Sequence, residues 1–314
     1  MKILAIESSC DEFSISIIDN KKILTNIISS QIKQHEAFGG VVPELAARLH
    51  LESIDYTLLA ALKESKLDIN EIDYIAYTER PGLIGSLIIG KLVGESIAEY
   101  INKPLIALDH IEGHIFGANI NNKFEYPVLA MVVSGGHTQI EMVYSPNDFE
   151  VIGATVDDAI GECYDKVARV LGFKYPGGAL IDKQAFVGNK NAFNFTQPKN
   201  DGSYDFSYSG LKTNVINTIH NLKQNHKEIP INDICASFQF AATNIIEKKL
   251  QKAIEEFKPK TLTIAGGVSA NCELREVIKL LGKKNNIKNT IIPEFQYCTD
   301  NAAMIAKLAY EKLK

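Results

Sequence analysis

The sequence predicts an α/β protein made of two domains that share one plan, and three observations carry that expectation. The first is a short apolar run at residues 3–6 (ILAI), bounded by the polar turn ESSCDE, as a buried strand would be. An alternating stretch follows, Ser14-Ile15-Ser16-Ile17, then a DNKK turn and a third strand from Ile23. The second observation is that residues 128–133 (VLAMVV) start the same series again: SGGH as turn, TQIEMVY as the alternating run, SPND as turn, and a strand from Phe149. The third is that each half later carries a strand opening through glycines onto a long helix. These are IDYIAYTERPGLIGSLIIGKLVGESIAEY in the first half and TLTIAGGVSANCELREVIKLL in the second. Matched features in one order point to a duplicated unit. The second half is longer because residues 157–220 have no counterpart in the first.

Bulk properties agree. A chain of 314 residues suits two domains better than one core. Hydrophobic residues make up 46% and charged residues 23%, a soluble globular composition. The formal net charge of −5 argues against binding nucleic acid through bulk charge. EKKLQK and GKKNNIK read as solvated cationic faces. Cys10, Cys163, Cys235, Cys272 and Cys298 show no C-x-x-C spacing, which implies reduced thiols rather than a disulfide frame or a zinc ribbon. The start MKILAIESSCDE reaches serine and acid too soon for a signal peptide, and no apolar run approaches membrane-spanning length. A cytoplasmic location is expected.

Chemistry is suggested first by DHIEGH, residues 109–114. His110 and His114, four apart on a helix, form a two-point ligand set. A zinc protease needs its glutamate next to the first histidine. Here Glu112 is two residues from each, about 200° round the helix, so the protease base is missing. In YCTDNAAMIA, Asp300 reads either as the N-cap of the last helix or as a third ligand beside the histidines. Two imidazoles and a carboxylate suit iron or zinc with positions left open for substrate. The turns SGGH and GGVSAN offer backbone N–H groups, and the latter a helix N-terminus, to an anion such as phosphate. Asp157, Asp158, Glu162 and Asp165 read as the start of a helix, where the dipole accounts for the first two. Asp165, and Asp182 after the YPGG turn, are left for ribose hydroxyls or a substrate amine. SYDFSYSGLKTNV (203–215) reads as a packed surface loop.

Ten motifs stand in one order: IESSCDE, GGVVPELAAR, HIEGH, SGGHT, DDAIGECYDK, YPGG, SYSGLKT, ASFQ, GGVSAN and CTDNAAMIA. The series resembles the bacterial TsaD family, tRNA adenosine threonylcarbamoyltransferases once labelled sialoglycoprotein endopeptidases, and covers essentially the whole chain. The resemblance implies two duplicated RNase H-like domains of the actin/heat-shock ATPase/sugar-kinase type with an interdomain cleft. The expected boundaries are 1–108, with the helix at 301–313 packing back on it, and 109–300, with the insertion 157–220. It implies a divalent metal, Fe2+ first and Zn2+ as the alternative, held by His110, His114 and Asp300. It places the adenylate or threonylcarbamoyl group against Val133, Ser134, Gly135, Gly136 and His137, with Asp165, Gly178, Asp182 and Asn271 as further substrate contacts. Asp11 and Glu12 match an acidic pair implicated in activity. Departures from the family pattern are Phe13 for threonine, Arg80 for glycine, Ala179 for proline and Ala47 for serine.

The implied reaction moves a threonylcarbamoyl group from threonylcarbamoyl-AMP to the exocyclic amine of adenosine 37, in tRNAs reading codons that begin with A, giving t6A and AMP. Asp11, Glu12 and His137, in that order, are candidates for the proton acceptor. An ATP-dependent small-molecule kinase or ATPase on the same fold is the main rival. The histidine pair argues against it, since such enzymes hold magnesium through carboxylates and waters. Metalloprotease and non-catalytic paralogue are weaker alternatives. Expected partners are tRNA, a TsaB-like non-catalytic paralogue and a TsaE-like ATPase, with a separate enzyme supplying the adenylate.

Overall fold

The apolar run at residues 3–6 becomes strand β1 (Lys2–Glu7), the middle of a five-stranded sheet in a computed structural model that describes residues 1–196 and 201–314. Residues 197–200 of the expected insertion lie outside the described residues. Strand β2 (Glu12–Asp19) runs antiparallel to β1 with Ile6 opposite Ile15, and β3 (Lys22–Ser30) runs antiparallel to β2. Helices α1 (Ile32–Glu36) and α2 (Pro43–Ser65) lead to β4 (Tyr74–Arg80), parallel to β1 with Ala5 opposite Ala76. Helix α3 (Ile84–Ile101) then returns the chain to β5 (Leu105–Asp109), parallel to β4, followed by α4 (His110–Gly117). The strand order is β3-β2-β1-β4-β5. All but the first residue of β1 is buried. A strand covered on both faces carries no polar alternation, so the run reads ILAI.

The second sheet repeats this topology. Strands β6 (Val128–Val133), β7 (Thr138–Ser145) and β8 (Asp148–Ala154) form the antiparallel series, and β9 (Thr261–Ala265) and β10 (Asn289–Ile291) the parallel pair. The order β10-β9-β6-β7-β8 is the first sheet's order read from the other edge. Helices α5 (Ile160–Leu171), α6 (Gly178–Ala185), α7 (Ser209–Gln224) and α8 (Ile231–Phe257) lie between β8 and β9, and α9 (Cys272–Lys284) between β9 and β10. The duplication read from the sequence is therefore a duplication of strand order and direction.

The chain forms two compact units, Met1–Lys123 with Pro293–Lys314, and Phe124–Ile292. The first unit thus runs past residue 108 and regains the chain at Pro293, before residue 301. Helix α4 lies in it because α4 packs on β4, β5 and the last helix, α10 (Ala302–Leu313). Helix α10 also packs on β1, β2 and β3, and Ala302–Tyr310 are all buried. A helix buried on every face belongs in a core, and Lys307 within it is paired with Glu311 at 2.7 Å. The core of this unit gathers Leu4, Ile6, Phe13, Ile15, Ile17 and Ile75. That of the second gathers Met131, Ile140, Phe206, Tyr208, Phe238 and Ile264 among others. Each such side chain contributes about 1.5–3 kcal/mol through burial.

Two local expectations are corrected. Residues 209–215 are not loop but the first turns of α7, whose Leu211, Val215 and Ile219 are buried at helical spacing. Helix α5 opens only at Ile160, so Asp157 and Asp158 precede it. The Asp157 carboxylate instead accepts from the Tyr208 N–H (2.8 Å) and that of Ser209 (3.4 Å), capping α7. Asp158 pairs with Lys166 (2.9 Å) and with Lys212. Among the described residues, no helix is long and apolar enough to cross a membrane.

Candidate metal centre and substrate-binding residues

Helix α4 begins where β5 ends because Asp109 caps it, its carboxylate accepting from the Ile111 N–H at 2.8 Å and the Glu112 N–H at 3.3 Å. This start puts His110 and His114 on one face, with ring centroids 4.5 Å apart and planes at 74°. Asp300 reaches the same place from the far end of the chain. Its Oδ1 lies 3.1 Å from His114 Nε2 and 3.6 Å from His110 Nε2. One ligand atom from each of the three residues falls within 4.8 Å of the others, close enough to share an ion. Of the two roles open to Asp300, the cap belongs to its neighbour: Asn301 Oδ1 accepts from the Met304 N–H at 3.3 Å. Gly113, between the histidines, faces α10, where a Cβ would lie 2.6 Å from the tip of the Ile305 side chain.

The donor set fits a cation. Both ring nitrogens of His114 are buried and make no hydrogen bond. The 3.1 Å approach of Nε2 to Asp300 lacks hydrogen-bond direction. Ring and carboxylate thus lie within ligand distance of one another without being hydrogen-bonded. Behind His110 stands Glu7, a residue the sequence reading did not single out. Its Oε2 is 3.1 Å from His110 Nδ1 and accepts from Thr78 Oγ1 at 2.5 Å, while Oε1 accepts from the Ser9 N–H at 2.6 Å. A carboxylate on the far nitrogen fixes the tautomer and presents the other lone pair to a metal. Burial opposes charge on Glu7, but His110 and Ser9 hold it below the usual carboxylate range. Burial also disfavours charge on His110, yet Glu7 and Asp300 together push it up to about 9. These carboxylates demand a positive charge between them. Two imidazoles and one carboxylate suit Fe2+ or Zn2+ rather than Mg2+. Glu112 pairs with Lys312 (2.6 Å), so it serves α10 and is no protease base.

Asp11 and Glu12 sit at the start of β2, both largely buried. Burial, then the charges of Asp300 and Asp11, push Glu12 up to about 9, although Ser30 Oγ donates to it at 3.2 Å.

In the second unit, Val133 ends β6 opposite Thr138, and Ser134–His137 form the turn. The Ser134 N–H donates to the His137 carbonyl (2.8 Å) and the His137 N–H to Ser134 Oγ (3.0 Å). Space is open where a Cβ of Gly135 or Gly136 would stand, and both residues are exposed. Two other glycines press on this turn from behind. Gly161 donates its N–H to the Ser134 carbonyl (3.2 Å). Gly266 has φ +90°, and a Cβ there would meet the Val133 carbonyl at 2.4 Å. Asp165 accepts from the Gly177 N–H at 2.8 Å and so ties the YPGG turn to α5; Gly178 opens α6. Burial raises Asp165, and the Gly177 and Gly178 N–H groups work against that rise. Asp182 accepts from Asn271 Nδ2 and Gln239 Nε2, each at 2.9 Å, and from the Cys272 N–H at 3.1 Å. Asn271 caps α9 through the Leu274 N–H (2.9 Å). Gln239, buried in α8, was part of the ASFQ motif but carried no expected role.

Residues 22–307 match the family described as TsaD, tRNA N6-adenosine threonylcarbamoyltransferase. The chain belongs to that family. A Mesoplasma florum tRNA N6-adenosine threonylcarbamoyltransferase is 74% identical over 314 residues, covering 100% of this chain and 99% of the relative. One from Mycoplasma capricolum is 72% identical, covering 100% and 98%. Among solved structures, HypF of T. kodakarensis superposes with a TM-score of 0.69 at 13% identity, over 99% of this chain and 48% of that longer one. Component A of the (R)-2-hydroxyglutaryl-CoA dehydratase of Acidaminococcus fermentans gives 0.56 at 14% identity, over 99% and 98%. These likenesses establish the duplicated actin/heat-shock ATPase/sugar-kinase fold.

The four departures noted in this TsaD-family chain fall away from the ligand atoms. Phe13 is buried in the first core with its ring 5.6 Å from that of His50. Arg80 is exposed, 3.9 Å from Asp109, and Ala179 is exposed on α6. Ala47 faces Gly85 where α2 and α3 meet, 3.2 Å from a Cβ built there.

Proposed function

We propose that this chain transfers the threonylcarbamoyl group of threonylcarbamoyl-AMP to the exocyclic amine of adenosine 37, in tRNAs that read codons beginning with A. The products are t6A and AMP. Family membership supports the tRNA modification, and the observation that carries the catalytic reading is the convergence of His110, His114 and Asp300, with Glu7 behind His110. A metal there, Fe2+ on our reading, supplies Lewis acidity toward phosphate or carbonyl oxygen.

The amine attacks the carbamoyl carbon, the bond from that carbon to the phosphate oxygen breaks, and AMP leaves with the electron pair. The amine's lone pair is delocalised into the purine, so a base that takes its proton accelerates attack. Asp11 is the preferred acceptor, ahead of Glu12 and His137. The exposed glycine turn at 135 and 136 suits the adenylate phosphate, and Asp165, Gly178, Asp182 and Asn271 the rest of the donor. We assign tRNA delivery to a TsaB-like paralogue and a TsaE-like ATPase in the cytoplasm. The exposed Ile84, Ile88 and Leu92, spaced by four along α3, support a protein partner.

The test is reconstitution with metal, partners, synthetic threonylcarbamoyl-AMP and an unmodified tRNA, reading t6A by mass spectrometry of digested nucleosides. Formation of t6A with stoichiometric AMP is expected. Phosphorylation of a small molecule from ATP without t6A would replace this function by the kinase alternative.

A further inference from the structure

A chain of hydrogen bonds, buried at its centre, runs from the end of the segment 37–42 to the residue before the acidic pair, and its direction is forced at every link. The Val42 N–H lies 3.3 Å from His35 Nδ1. A backbone N–H only donates, so Nδ1 is the bare nitrogen and the ring proton sits on Nε2. His35 Nε2–H then donates to Gln31 Oε1 at 3.3 Å. That fixes the amide, turning Gln31 Nε2 to His50 Nδ1 at 2.7 Å. An amide NH2 also only donates, so His50 carries its proton on Nε2, which donates to the Cys10 carbonyl at 3.1 Å. His35, Gln31 and His50 are all buried. Ser86 Oγ adds a second donor to the Cys10 carbonyl at 3.3 Å, and the Gln31 N–H grips the next carbonyl, Asp11, at 3.0 Å.

We propose that His35, Gln31 and His50 are positioning residues, a one-way relay that sets the backbone of Cys10–Asp11–Glu12 and so places the acidic pair for the transfer step. The relay works only with both rings neutral, since a proton on His50 Nδ1 would face the Gln31 NH2 donor to donor. Burial pushes His50 down to about 4, which keeps it neutral. Fully satisfied buried networks hold one geometry, and acid–base groups lose rate steeply when displaced. The role in transfer rests on the function proposed above; the relay itself does not.

Two measurements test the inference on the metal-loaded full chain. Long-range proton–nitrogen correlation spectra at pH 7.5, assigned by comparison with His35→Gln and His50→Gln, should show both rings as the Nε2–H tautomer. An Nδ1–H or doubly protonated ring at either position would overturn the relay. Gln31→Met keeps the length but cuts both links. Its kcat for threonylcarbamoyl transfer should fall on the order of tenfold to a hundredfold, with KM for tRNA and metal content unchanged. Wild-type kcat in the folded variant would refute the positioning role. Absence of transfer by the unmodified chain would instead refute the proposed function, and with it the relay's part in transfer, while the tautomers still decide whether the relay exists.

Discussion

Glu7 Oε2 lies 3.1 Å from His110 Nδ1, on the opposite side of the imidazole from the nitrogen that faces Asp300. The carboxylate is fully buried and anchored by Thr78 and Ser9. Replacing Glu7 by glutamine keeps the shape and removes the charge. Metal affinity should drop about 10–100-fold, measured by competition with a chromophoric chelator. Undiminished affinity would show that Glu7 does not steady the ligand.

Asp300 and Asn301 divide two tasks between adjacent positions. Asp300→Asn should strip bound metal while leaving apo-protein stability close to wild type. Asn301→Ala should cost about 1 kcal/mol of stability through the lost cap and retain the metal. Metal analysis and urea denaturation of both variants would check the division, and the opposite pattern would reverse it.

Asp11→Asn should cut transfer sharply with metal content intact. Unchanged turnover in the reconstituted assay eliminates Asp11 as proton acceptor.

His50 gives stability a pH dependence. Its folded pKa of about 4 lies below the ordinary imidazole value of 6.5 because burial penalises the charged ring. The unfolded chain therefore binds more protons between these limits. The contribution is complete above about pH 6.5 and is lost as pH falls toward 4, on the order of 3 kcal/mol in total. His50→Gln should flatten the acid limb of urea denaturation measured from pH 7.5 to 4.5; a limb of unaltered slope would assign the effect elsewhere.

Gly266→Ala places a methyl group against the Val133 carbonyl at a positive φ. Strain of about 1–3 kcal/mol is expected, with weaker binding of AMP as the Ser134–His137 turn is displaced. Calorimetry and an AMP titration would check this, and a variant equal to wild type in both would show that the contact relaxes freely.

Much of this was legible in the sequence. Strands buried on both faces leave short apolar runs, and the repeated order of runs and turns disclosed the duplication. The histidine pair was visible because its partners are four residues apart. What escaped is non-local. Glu7 meets His110 across 103 residues, and Gln239 meets Asp182 across 57. Asp157 caps a helix whose first residues are about fifty positions away, so the dipole of its own neighbourhood was the wrong explanation. The start of α7 was hidden by serines and aromatics, although Leu211, Val215 and Ile219 carried its period. The departure of the first unit from residue 108 reflects packing of α4 on α10, which no local pattern encodes.

Asp300 belongs to the first unit, yet the whole of Phe124–Ile292 is synthesised between it and the histidines. During translation, His110 and His114 emerge well before their carboxylate partner. A nascent or prematurely terminated chain can offer only the imidazoles and cannot assemble this three-ligand centre. Acquisition of the ion through all three ligands is thereby deferred until Asp300 itself has been synthesised.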